Sequence, residues 1–73
     1  MSQQVNELQK LTAIAIDLGL SAELRVKAIE LLGRIGTHEA LCALLDLAAN
    51  EELIREEREL ALKQAGIIVK SGH

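Results

Sequence analysis

Residues 24–48, LRVKAIELLGRIGTHEALCALLDLA, decide the fold. In the first half Leu24, Ala28, Leu31 and Ile35 recur at i, i+4, i+7 and i+11. Ile29 and Leu32 widen that stripe, while Glu23, Lys27, Glu30 and Arg34 fall mostly outside it, the pattern of an amphipathic helix with one buried face. Ser21 stands where an N-cap belongs. Gly36 ends the helix and Thr37 starts another, a junction too short for anything but an antiparallel return. The second half carries Ala40, Leu41, Ala43, Leu44, Leu45, Leu47 and Ala48 around most of its circumference, leaving Glu39, Cys42 and Asp46 as its polar positions. This spread predicts that the third helix is the central one.

Working outward, the absence of proline and the abundance of Ala, Leu, Glu, Lys and Arg predict helices throughout, four in all. The first starts after Ser2 as N-cap, runs through residues 5–18, and stops where Gly19 adopts the left-handed conformation of a helix C-terminus. The fourth covers Glu51 to about Val69, with Asn50 as C-cap of the third helix, N-cap of the fourth, or both. Its glutamates lie near the positive N-terminal end, and Lys63 and Lys70 toward the negative end. Its core face is Leu60, Ala61, Ala65 and Ile68, with Leu53 and Ile54 available near the start. The expectation is an all-α single domain over residues 1–73, four antiparallel helices stacked as a short superhelix, with 71–73 a frayed tail.

A chain of 73 residues sits near the size at which one core only just offsets conformational entropy. Cys42 is alone, so no disulfide can form within the chain, and there is no Phe, Tyr or Trp to supply large buried area. Oligomerisation is the remaining obvious stabiliser. A lone cysteine also fits a reducing, cytoplasmic setting. The apolar run from Leu11 to Leu20 is broken by Asp17 and is shorter than a membrane span, so no membrane association is expected.

The net charge of −3 has a local origin: Glu51, Glu52, Glu56, Glu57 and Glu59 are set against Arg55 and Arg58, and the rest of the chain is balanced. Nucleic-acid binding needs clustered Lys and Arg, commonly with stacking aromatics, and neither occurs. The glutamate run reads either as a docking patch for a basic partner or as a solvated helix face.

Sliding the chain along itself aligns Arg25, Ala28, Ile29, Gly33 and Ile35 with Arg58, Ala61, Leu62, Gly66 and Ile68 at one constant offset, in the range of helical repeats. In residues 24–48, Leu24, Arg25, Ala28, Leu32, Gly33, Ile35, Gly36, Glu39, Ala40, Leu44 and Leu45 resemble a HEAT-like repeat of the phycobilisome-lyase type. In that family an arginine follows the first aliphatic and an Ala-rich face leads into a Leu-Gly-x-Ile-Gly turn. The resemblance implies one full hairpin with a half repeat on each side, over residues 5–69. It also implies that the first and third helices line a concave face, making Glu7, Lys10, Glu39, Cys42 and Asp46 the expected partner-binding positions. Gly33 and Gly66, inside helices where glycine costs about 0.5–1 kcal/mol relative to alanine, read either as points of close backbone approach between adjacent helices or as glycines that are merely tolerated.

Candidate chemistry is sparse. His38, Cys42 and Asp46 fall at i, i+4 and i+8, and neighbouring pairs share a face, but the row spans about two turns, some 12 Å, so the three cannot reach one metal ion. A Cys42 nucleophile activated by His38 lacks an oxyanion loop and a third orienting residue. More often a lone cysteine packs as a small apolar side chain. No cofactor, metal or catalytic residue is expected, and the chain is not expected to be an enzyme. Surplus aliphatics carry more weight: Leu11, Ile14 and Leu18 lie opposite Val5, Leu8, Ala15 and Ile16, and Ile67 and Val69 lie beside the fourth helix's core face. Terminal elements of a stack normally show a polar outer face. These residues therefore predict self-association, most simply as a two-fold homodimer. The leading expectation is a small protein–protein interaction or assembly module acting through helix faces, with no partner identified by the sequence. An accessory subunit of a bilin lyase-like or other enzyme complex is the alternative that the resemblance implies.

Overall fold

Four helices account for the architecture: α1 (Gln3–Ala15), α2 (Ala22–Ile35), α3 (His38–Ala48) and α4 (Arg55–Lys70). The computed structural model describes residues 3–71, and the side chains of 7–71; the expected Ser2 cap, the side chain of Val5 and residues 72–73 lie outside that range. Ser21 holds extended backbone and its Oγ accepts from the Leu24 N–H at 3.3 Å, which caps α2. Gly36 takes the left-handed conformation (φ 68°) and its N–H donates to the Leu32 carbonyl. Thr37 Oγ1 then accepts from the Ala40 N–H at 3.1 Å, so α3 begins at once and turns back on α2.

The other two boundaries differ from expectation, and in both a side-chain amide or carboxylate is the reason. The first helix ends at Ala15 rather than Leu18, because the Asp17 carboxylate accepts from the Gly19 N–H at 2.9 Å and the Leu20 N–H donates to the Asp17 carbonyl. Gly19 does not adopt a positive φ; among the described glycines only Gly36 does. The fourth helix starts at Arg55 rather than Glu51. Asn50 caps neither helix: Ala49 occupies the C-cap of α3, and Asn50 Oδ1 accepts from the Glu52 N–H at 2.9 Å in a turn that sends Leu53 into the core. At the far end the Ser71 Oγ donates to the Ile68 carbonyl at 2.9 Å.

α2 and α4 lie side by side and run parallel. Arg25 and Glu57 meet near their N-terminal ends, and Gly33 faces Gln64 further along. α1 packs on α2, and α3 packs on α4 and α2 with a lighter contact to α1; α1 and α4 do not touch among the described residues. The helices thus form two layers, α2 with α4 and α1 with α3, as an open stack rather than a closed square. The extents of 30 × 27 × 17 Å agree, since two helix backbones about 10 Å apart give a slab of about that least thickness.

α2, not α3, is the central helix, flanked by α1 on one side and α4 on the other. Of the many apolar residues of α3 only Ala40, Leu44 and Leu47 are buried, and Leu45 faces out. The buried line of α2 is also rotated from the expected stripe. Arg25, Ala28, Ile29 and Leu32 are inside, while Leu24 is 51% and Leu31 39% exposed. α4 presents Glu57, Ala61, Ala65 and Ile68 to the core, with Leu60 half-buried, as its periodicity predicted apart from Glu57.

Candidate interaction surface

The polar centre of the molecule is an ion pair between two helices. Arg25 Nε donates to both Glu57 oxygens, at 3.1 and 3.2 Å, and its Nη2 lies 3.1 Å from Oε2. Nη1 donates to the carbonyls of Leu20 (2.6 Å) and Asp17 (3.3 Å). One guanidinium therefore joins α4 to the α1–α2 connection. Both partners are enclosed, and Glu57 is 1% exposed. A buried pair of this kind contributes little beyond an apolar replacement, but losing one partner strands a charge. It removes Glu57 from the expected glutamate patch. Glu59 pairs instead with Arg55 across one turn of α4, and Glu51 and Glu52 sit in the preceding turn.

The positions expected to bind partners are all exposed, but they fall into two groups. Glu7 and Lys10 flank a groove between α1 and α2 together with Leu11, Leu31, Arg34 and Ile35. Glu39, Cys42 and Asp46 lie along α3. No hydrogen bond joins the groups among the described residues. Cys42 does not pack inside; it is exposed, with Sγ 3.7 Å from His38 Nε2. Among the described residues no three His, Cys, Asp or Glu side chains gather as a metal-binding set.

The residues expected to self-associate also divide. Leu18, Ile67 and Val69 are exposed. Leu11 and Ile14 are half-buried against the core of their own chain, alongside Leu8 and Ala15, so α1 uses both of its aliphatic groups inward in part. Ile16 is exposed. Leu24, Leu31, Leu45, Ile54 and Leu62 add apolar surface that the sequence assigned to the core or left unassigned. The two helical glycines separate as well. A Cβ on Gly33 would fall on Gln64 Oε1, with Gln64 Cβ at 3.1 Å, whereas nothing lies within 4 Å of the corresponding point on Gly66. What meets Gly33 is the Gln64 side chain rather than a neighbouring backbone, so neither glycine marks the close backbone approach that was expected.

Arg58, the repeat counterpart of Arg25, was not singled out as a site residue. Its Nε is buried and makes no hydrogen bond among the described residues. The alignment of Arg25 with Arg58 held the signal that could have marked it. Among the described residues no helix is long and apolar enough to cross a membrane. Comparison with protein-family models, curated proteins and solved structures finds no match to this chain.

Proposed function

We propose that the chain is a HEAT-like interaction module that acts by presenting helix faces, without catalysis, to protein partners and to further copies of itself. The observation that carries this reading is the exposure of Leu18, Ile67 and Val69, with Leu24 and Leu62, on an open two-layer stack. We read them as a contact surface because Ile67 and Val69 are neighbours at the end of α4 and apolar side chains that share a patch favour association over solvation. The exposed thiol of Cys42 fits a reducing compartment, and we place the protein in the cytoplasm on that ground. Size-exclusion chromatography with light scattering tests the reading. The wild-type chain elutes as a multiple of its mass, and Ile67→Lys or Leu18→Lys returns it toward a single chain. A single chain in every case overturns self-association.

A further inference from the structure

The internal repeat supplies its own template for a surface that is covered on one helix and bare on the next. On α2, Arg25, Ile29 and Gly33 form a stripe that α4 closes: Glu57 takes the Arg25 Nε, Ile29 is fully buried, and Gln64 lies over Gly33. Sliding by one repeat places Arg58, Leu62 and Gly66 at the same positions on α4. There, among the described residues, the Arg58 Nε is enclosed but has no acceptor, Leu62 is 58% exposed, and nothing lies within 4 Å of a Cβ on Gly66. Leu62 and Gly66 lack the covering side chains their counterparts have, and the Arg58 Nε lacks the carboxylate that its counterpart has. Beside it runs a groove lined by Ala48, Arg55, Arg58, Glu59 and Leu62.

An enclosed guanidinium nitrogen without an acceptor is costly, and a carboxylate is the group that satisfies its counterpart. We infer that this face of α4 docks an amphipathic helix of another protein, running parallel to α4, with a glutamate on Arg58 and an uncharged side chain of glutamine size two turns on over Gly66. The inference rests on the interaction-module reading and gives its partner a chemistry. A second copy of this chain fits less well. Its α2 is the helix that would continue the layer, and the positions equivalent to Glu57 and Gln64 are there Leu24 and Leu31, which offer Arg58 no carboxylate.

The α4 sequence itself carries the required face, so the probe is a labelled peptide of residues 55–70, side-chain-stapled on its outer face to hold it helical. Titrated with the full chain and read by fluorescence anisotropy, it binds the wild type. Arg58→Glu weakens it by about tenfold or more, the loss expected for one charge-assisted hydrogen bond. A peptide with Lys in place of Glu57 recovers binding to the Arg58→Glu chain. Leu62→Lys, at an exposed position, also abolishes binding and serves if Arg58→Glu does not keep its far-UV helical signal. Absent binding, or binding indifferent to both substitutions, overturns the site. If the peptide fails while the wild-type chain still self-associates, the docking site falls and the broader reading stands; if neither occurs, both fall. Self-association that Arg58→Glu abolishes identifies a second copy as the occupant and overturns the acidic partner helix.

Discussion

Arg25 and Glu57 show how one charged pair can organise a core too small to waste contacts. The buried apolar set includes Ala15, Ala28, Ala40, Ala61 and Ala65, which let helices approach closely but bury little area each. A domain of this size has a total stability of about 4–11 kcal/mol, and stranding one member of a buried ion pair costs about 3–5 kcal/mol. We therefore expect Glu57→Gln or Arg25→Ala to lower the urea midpoint sharply, with the chain partly unfolded at room temperature. The double substitution Arg25→Met with Glu57→Leu should recover most of the loss; recovery no better than either single change would show the pair to be worth more than its packing. Glycine offers a second contrast at this scale. Gly66→Ala should stabilise by about 0.5–1 kcal/mol, since its Cβ enters open space. Gly33→Ala should gain less or lose, because Gln64 must give way. Equal gains in thermal melting would contradict the assigned helix contact.

At the scale of elements, what was legible in the sequence was what a few adjacent residues decide. Ser21 and the Gly36–Thr37 junction were readable because a hydroxyl before a helix and a glycine after one act through bonds to the next turn. Ser21→Ala and Thr37→Ala should each cost about 1 kcal/mol in chemical denaturation, with α2 and α3 the helices that fray in amide exchange. Asp17 and Asn50 were harder, because residues 16–18 and 51–54 continue an acceptable helical pattern and only the side-chain bond to a backbone N–H two residues on ends it. The rotation of α2 was not legible at all. Periodicity placed Leu24 inside and Arg25 on no face in particular, and the choice depends on Glu57, 32 residues away in sequence. The site followed the same division. Exposure at Glu7, Lys10, Glu39, Cys42 and Asp46 was readable from polarity, whereas the Arg58 Nε, without an acceptor among the described residues, becomes visible only once Arg25 is seen with its partner.

For the molecule as a whole, the open arrangement matters more than any one contact. Among the described residues α1 and α4 do not close on each other, and aliphatic side chains remain outside at Leu18, Leu24, Leu62, Ile67 and Val69. Association would then support the fold as well as constitute the function, because a partner that binds only the folded chain stabilises it by mass action. Apolar contacts of this kind persist in salt, unlike steering by surface charge. Sedimentation equilibrium of the wild-type chain, from a few to on the order of 100 micromolar and in low and high salt, measures this directly, since weak interfaces populate in that range. We expect the mass to rise with concentration in both salts above that of one 7.9 kDa chain. A mass fixed at one chain throughout would contradict the account.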